Sequence, residues 1–275
     1  MSAPLTWLYV PGDRPERFSK AVDSGADVVI IDLEDAVAEA DKERALRNAV
    51  AFLKDGAGKV PVHVRVNDLA TARGMADLRA LADAPGLDAV RLPKVEAAHT
   101  LDLLVDVFAG RPVSAYALLE SARGVARAQE IAAHPRVAGI ALGEQDLAAE
   151  LGISDEFAFA YLRMQAVVAA AAAGLPGVPM SVYANVRDDE GLAASCLRGR
   201  ALGLFGRTAI HPRQIPVIRR AFRPSDEEVA RAREVVGASS GRGAVALADG
   251  RFVDAPIVAR AQAVLRLAEE LSDEA

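Results

Sequence analysis

One cysteine, Cys196, stands in a chain of 275 residues. A lone thiol excludes an intramolecular disulfide and any cysteine-based zinc site. Lysine is scarce too: the 32 cations are nearly all arginine, a bias to which we attach no function. No basic block exists, and 38 acids leave a net charge of −6, which argues against nucleic acid as the main partner. Long apolar runs are also missing. The longest, Ala166–Leu175, is too short to span a bilayer, so no membrane partner is expected. Residues Met1 to Leu8 lack a basic segment followed by an apolar core, so the expected location is cytoplasmic, without a secretory signal. The four histidines show no HxH or HExxH spacing, which argues against a zinc hydrolase. His211, in Ile-His-Pro, reads as a helix-start residue. Ser121 and Ser181 lack the G-x-S-x-G setting of a nucleophile elbow. Neither G-x-G-x-x-G nor a P-loop occurs.

What is present is an ordinary folded composition, 52% hydrophobic and 25% charged. Short Val/Ile/Leu-rich runs alternate with longer segments that carry apolar residues at spacings of three and four. The runs are Trp7–Val10, Val28–Leu33, Val62–Val66, Ala89–Pro93, Ser114–Leu119, Gly139–Leu142, Pro179–Tyr183 and Ala201–Phe205. Nearly continuous apolar strands are those covered on both faces. Eight strands, each followed by a helix, predict an α/β (β/α)8 TIM barrel over residues 1–223; a doubly wound sheet is the other arrangement that alternation permits. Residues 224–275 break the pattern. A turn at Pro224-Ser225, a helix to about Val236, the loop Ala238–Gly243, an Asp249-Gly250 hairpin signal and a helix over Pro256–Leu271 predict a helix–hairpin–helix extension.

In a (β/α)8 barrel, chemistry sits at the C-terminal strand ends. Those ends carry Asp32, Glu34 and Asp35; Arg65 and Asn67; Lys94 and Glu96; Glu120 and Ser121; Glu144 and Asp146; and Arg207 and Thr208. Glu120 and Asp146 end adjacent strands and face solvent in this reading, so their carboxylates can meet at one point. Two carboxylates completed by water and substrate oxygens suit Mg2+. Asp32, Glu34 and Asp35 read as a strand-end cluster neutralised by Arg14, Arg17 or Lys94.

The stretches Leu8–Gly12 with Arg14–Phe18, Ile31–Val37, Val64–Asn67, Leu92–Glu96, Leu119–Gly124, Gly143–Leu147, Ile210–Ile215 and Val253–Pro256, in this order, resemble the citrate lyase β-subunit-like (CitE-like) proteins of the HpcH/HpaI aldolase superfamily. The resemblance spans nearly the whole chain. It implies a Mg2+-dependent lyase that cleaves a carbon–carbon bond in a 3-hydroxyacyl-CoA thioester of malyl, citramalyl or citryl type, giving acetyl-CoA and an oxo acid through an enolate. It implies metal ligation by Glu120 and Asp146. It makes Arg65, Asp254 and Glu120 the catalytic set, with Asp254 reaching a neighbouring subunit's site. It assigns substrate and cofactor contacts to Tyr9, Arg14, Arg17, Arg65, Glu34 and Lys94. It gives the extension a reason to exist, as an element exchanged in a homotrimer or hexamer.

Two related activities share these motifs: a citrate lyase β subunit working on a citryl-acyl-carrier protein, and a class II aldolase for free 2-oxo acids. The extension and the Arg-Pro-Glu-Arg segment count against the latter. Many members of the family carry an acid where Ser181 stands and Gly-Lys where Arg207-Thr208 stand. Both departures fall beside the expected substrate region and bear on the acyl group.

Overall fold

The computed structural model describes residues 4–54, 58–239, 245–246 and 250–271. They fall into two compact units, Ala3–Arg219 and one formed chiefly by Arg220–Ala275.

The first unit is built on parallel strands β1 (Thr6–Pro11), β2 (Val28–Asp32), β3 (Val62–Arg65), β4 (Ala89–Leu92), β5 (Ser114–Leu119), β6 (Val137–Leu142) and β7 (Arg207–Ala209). Their order is β6-β5-β4-β3-β2-β1-β7. Helices α1 (Phe18–Val22), α2 (Lys42–Lys54), α3 (Ala72–Ala80), α4 (Leu103–Val107), α5 (Ala122–Ala126), α6 (Ala128–Ala132), α7 (Glu144–Leu151), α8 (Glu156–Ala172), α9 (Asp189–Ala201) and α10 (Gln214–Phe222) connect and follow them. Every residue of β2, β3 and β4 is buried, as expected of strands covered on both faces. Helix α2 turns Ala45, Ala49 and Leu53 to the core at intervals of four, the period of one helix face. Thr71, Ser121, Asp155 and Asp188 cap their helices by accepting a backbone N–H two or three residues on.

Among the described residues the sheet has seven strands, and two expected strands are corrected. Pro179–Tyr183 forms only a single bridge, between Met180 and Arg207. The Ala201–Phe205 run is the end of α9 and a turn through Gly203 (φ 85°), and the strand begins after Gly206 (φ 75°). An apolar run closing an N-capped helix carries the same side chains as a strand, and only the left-handed glycines mark the difference. The sheet nonetheless curls. The Ser181 hydroxyl donates to the Leu142 carbonyl at 2.7 Å, bringing the segment beside β7 back to the end of β6. The first unit is therefore an α/β fold around a curled, seven-stranded parallel sheet.

The second unit contains α11 (Asp226–Ser239), the two-residue strands β8 (Val245–Ala246) and β9 (Phe252–Val253), which pair antiparallel, and α12 (Ala255–Glu270). Ala232, Val235, Val253 and Ala261 form its small core. Most of the expected 238–243 loop and Asp249 lie outside the described residues. No described helix is long and apolar enough to cross a membrane.

Candidate active site

Parallel register aligns the C-terminal strand ends, pairing Pro11 with Asp32 and Asp32 with Arg65. Arg65 is the hub of what gathers there. Its Nε and Nη2 each donate to Asp32, both at 2.7 Å, the two-pronged geometry that a guanidinium forms with a carboxylate. Its Nη1 donates to Asp35 at 3.1 Å and lies 3.0 Å from Glu34 Oε2. Its Cζ sits 4.9 Å from the centre of the Tyr9 ring. Burial by itself would lower the Arg65 pKa; the hydrogen bonds and charge of Asp32 more than reverse that, and it stays raised.

This corrects the expected neutralisation of the acid triplet. Its main counter-ion is Arg65, joined by Lys94, whose Nζ lies 3.5 Å from Glu34 Oε1. Arg14 and Arg17 are exposed and pair with Asp13 at 3.6 Å and Glu16 at 3.9 Å. Asp32 also accepts the backbone N–H groups of Glu34 (2.9 Å) and Ala36 (3.1 Å), which folds the chain sharply after β2. Lys42 was not singled out from the sequence. Its buried ammonium donates to the Leu33 and Glu34 carbonyls at 2.8 and 2.6 Å and ties the turn to α2.

Glu120 follows β5 and is buried, 7% exposed, so the expected solvent-facing position is corrected. Its Oε2 accepts the Lys94 backbone N–H at 3.0 Å. Lys94 makes that bond from a left-handed conformation (φ 54°) that side chains other than glycine seldom adopt. Strain of this kind, about 1–3 kcal/mol, persists where surrounding structure enforces it and collects at functional sites. Burial, and after it repulsion from Glu34, lifts the Glu120 pKa to about 7, with Asp146 adding to the repulsion. Burial likewise lifts Glu34 to about 7 against the pull of Arg65. Asp146 is exposed in the first turn of α7, where the helix dipole favours an anion.

Two cavities meet at this acid pair. One, of about 380 Å3, is lined by Tyr9, Asp32, Arg65 and Arg91, by the β6 end, and by Ser181 and Thr208. The other, of about 810 Å3, is lined by Lys94, Glu96, His99, Ser121, Arg123 and Arg127. Glu120 and Asp146 border both. Asp254 belongs to the second unit, where its side chain caps α12 by accepting the Ile257 N–H at 3.3 Å.

The donor set fits a hard divalent cation. Glu120 and Asp146 offer oxygen ligands, and their mutual repulsion, with that of Glu34, is what a cation would relieve. A β-carbon on Gly143 would collide with Glu120 Cγ and lie 2.8 Å from its Oε1, so the bare glycine leaves this carboxylate room at the β6 end. Among the described residues no set of three or more His, Cys, Asp or Glu side chains converges on a point.

A curled parallel sheet with acids, a clamped arginine and deep cavities at its C-terminal edge defines an α/β enzyme that works at its strand ends. The chain belongs to the HpcH/HpaI aldolase/citrate lyase family, whose model matches residues 5–212. It is 41% identical over 278 residues to the citrate lyase subunit beta-like protein of Mycobacterium tuberculosis, covering 98% of this chain and 97% of that one. It is 38% identical over 277 residues to a (3S)-malyl-CoA thioesterase of Cereibacter sphaeroides, covering 96% and 94%. The crystal structure of CitE from M. tuberculosis in complex with magnesium, acetoacetate and coenzyme A superposes with a TM-score of 0.83 at 39% identity, covering 98% of this chain and 99% of that one.

Proposed function

We propose that this enzyme is a Mg2+-dependent carbon–carbon lyase that cleaves a 3-hydroxyacyl-CoA thioester of malyl, citramalyl or citryl type to acetyl-CoA and an oxo acid. The observation that carries the reading is one cavity bordered at once by the clamped Arg65 and by the Glu120–Asp146 pair. Support comes from the relatives, whose names concern malyl-CoA and citrate lyase, and from the magnesium and coenzyme A in the CitE complex.

Glu120 and Asp146 would hold the metal, which when bound supplies Lewis acidity to the carbonyl and carboxylate oxygens of the oxo-acid half. Arg65 holds a fixed positive charge where oxyanion character develops. Asp32, Glu34 and Asp35 keep its guanidinium from reorganising as that happens. As the C3 hydroxyl loses its proton to solvent and becomes the carbonyl of the oxo acid, the C2–C3 bond breaks and its electron pair stays on the acetyl thioester as an enolate, which a positioned acid must protonate. We assign that proton to Asp254 of a neighbouring subunit in a homotrimer or hexamer, with residues 1–223 as a (β/α)8-type catalytic domain and 224–275 as the exchanged arm. Tyr9 and the Arg14–Arg17 segment would contact the thioester cofactor, with Glu34 and Lys94 behind the substrate arginine, and a cytoplasmic setting accords with an acyl-CoA substrate.

The test is a panel of hydroxyacyl-CoA thioesters incubated with and without Mg2+, with products read by mass. The expected result is Mg2+-dependent acetyl-CoA and oxo acid, lost in Glu120→Ala and in Asp146→Ala. Full turnover by either variant in magnesium-limited buffer would remove the metal assignment, and free CoA without carbon–carbon cleavage would replace the lyase by a thioesterase.

A further inference from the structure

Arg91 is a charged group in the interior of the sheet that the site chemistry above does not use. Register places it beside Arg65 on one neighbour and Tyr116 on the other, and partners in a parallel ladder face the same way. Its Cζ lies 5.0 Å from the Tyr116 ring centre and 5.9 Å from that of Trp7. It is 1% exposed, yet it lines the smaller cavity. Its Nε and Nη2 are buried and have no hydrogen-bond partner. Burial is the largest influence on it and lowers its pKa, and Arg65 beside it lowers it further. Asp32, the nearest acid by register, is committed to both prongs of Arg65.

The two arginines therefore differ in kind. Arg65 is held in place by three carboxylates. Arg91 is a buried cation without a counter-ion, an arrangement that costs stability unless something anionic arrives. Leu118, Ala141 and Met180 line the same cavity, apolar walls across which the charge of the guanidinium reaches an occupant. Each negative charge on that occupant gains separately from such a fixed charge in a site screened from water.

We propose that Arg91 is the specificity-determining residue of this cavity, a fixed positive charge in its lining that selects oxo acids bearing a second carboxylate over those bearing one. Within the lyase reading, on which this inference rests, it favours thioesters of citryl type, whose oxo-acid product is a dicarboxylate, over malyl and citramalyl types. Arg91 is a positioning residue; it touches no reacting atom.

The test is isothermal titration of the full-length protein in Mg2+ with freshly dissolved oxaloacetate and pyruvate, which differ by one carboxylate. In Arg91→Met, oxaloacetate binding is expected to weaken more than tenfold and pyruvate binding distinctly less. Arg91→Lys, which keeps the charge, should recover most of the preference. The melting temperature of ligand-free Arg91→Met should hold or rise, because an unpaired buried charge has gone; a merely structural arginine would give a fall and an equal loss for both acids. An unchanged oxaloacetate-to-pyruvate ratio in Arg91→Met overturns the inference while leaving the lyase reading intact. Failure of the wild type to bind either acid overturns both.

Discussion

Arg65 shows how one side chain can serve both structure and chemistry. Lysine in its place would keep the charge but lose the fork that grips Asp32 at 2.7 Å twice and reaches Asp35 with a third donor. Arg65→Lys should therefore lower kcat/KM by about 1–3 kcal/mol equivalent or more; steady-state kinetics on the active thioester check this, and unchanged kinetics would make the residue structural only. His63 carries a different consequence. It is buried against Tyr116, ring centres 4.8 Å apart, and burial, with Arg91 nearby, holds its pKa well below the ordinary value. The unfolded chain takes up a proton at the ordinary histidine pKa of about 6.5, where the folded chain does not, so stability drops as pH falls through that value. Between about pH 7.5 and 5.5 the wild type should lose about 1.4 kcal/mol more than His63→Phe. Urea unfolding at the two pH values reads this directly, and parallel pH dependences of the two proteins would refute it.

At the level of elements, the site depends on how closely consecutive strand ends approach. The β5 end delivers Glu120, and the turn from β6 into α7 passes beside it at Gly143. Gly143→Ala should push the Glu120 carboxylate off its Lys94 hydrogen bond and cut Mg2+-dependent activity by more than an order of magnitude. The core strands would stay folded, because the added methyl meets a side chain in the cavity wall. Circular dichroism beside the activity assay separates the two effects: full activity would show that Glu120 moves freely, and a global loss of structure would show that the turn is a folding determinant. Six of the expected strands were legible because a buried strand is a short apolar run between polar turns. The two near the end of the first unit were not. Met180 contributes a single bridge, and the apolar residues 201–205 serve a helix end, where backbone conformation at Gly203 and Gly206, not hydrophobicity, sets the element.

For the molecule as a whole, the consequential proposal is that its active sites are shared. Asp254→Ala and Glu120→Ala should each be inactive. Mixed under conditions that exchange subunits, they should recover about a quarter of wild-type activity, since half the sites draw an intact Glu120 and half of those an intact Asp254 from the neighbour. Light scattering establishes the assembly, and proven exchange with no recovery would return Asp254 to its role as the cap of α12.

The residues of the site could be chosen from the sequence because polar groups that end apolar strands must lie at one edge of a parallel sheet, whatever the details of packing. The structure brings Glu120, Asp146, Arg65, Glu34 and Lys94 to that edge. Their partners needed the fold. That Arg65, and neither Arg14 nor Arg17, neutralises Asp32 and Glu34 depends on which strand lies next to β2. The binding of Lys42 to two carbonyls, the left-handed backbone of Lys94 and the space beside Gly143 depend on contacts between segments distant in sequence. The same holds for Arg91 within the expected strand Ala89–Pro93: burial and unpartnered donors belong to its surroundings in three dimensions, and a linear pattern records the charge without recording what faces it.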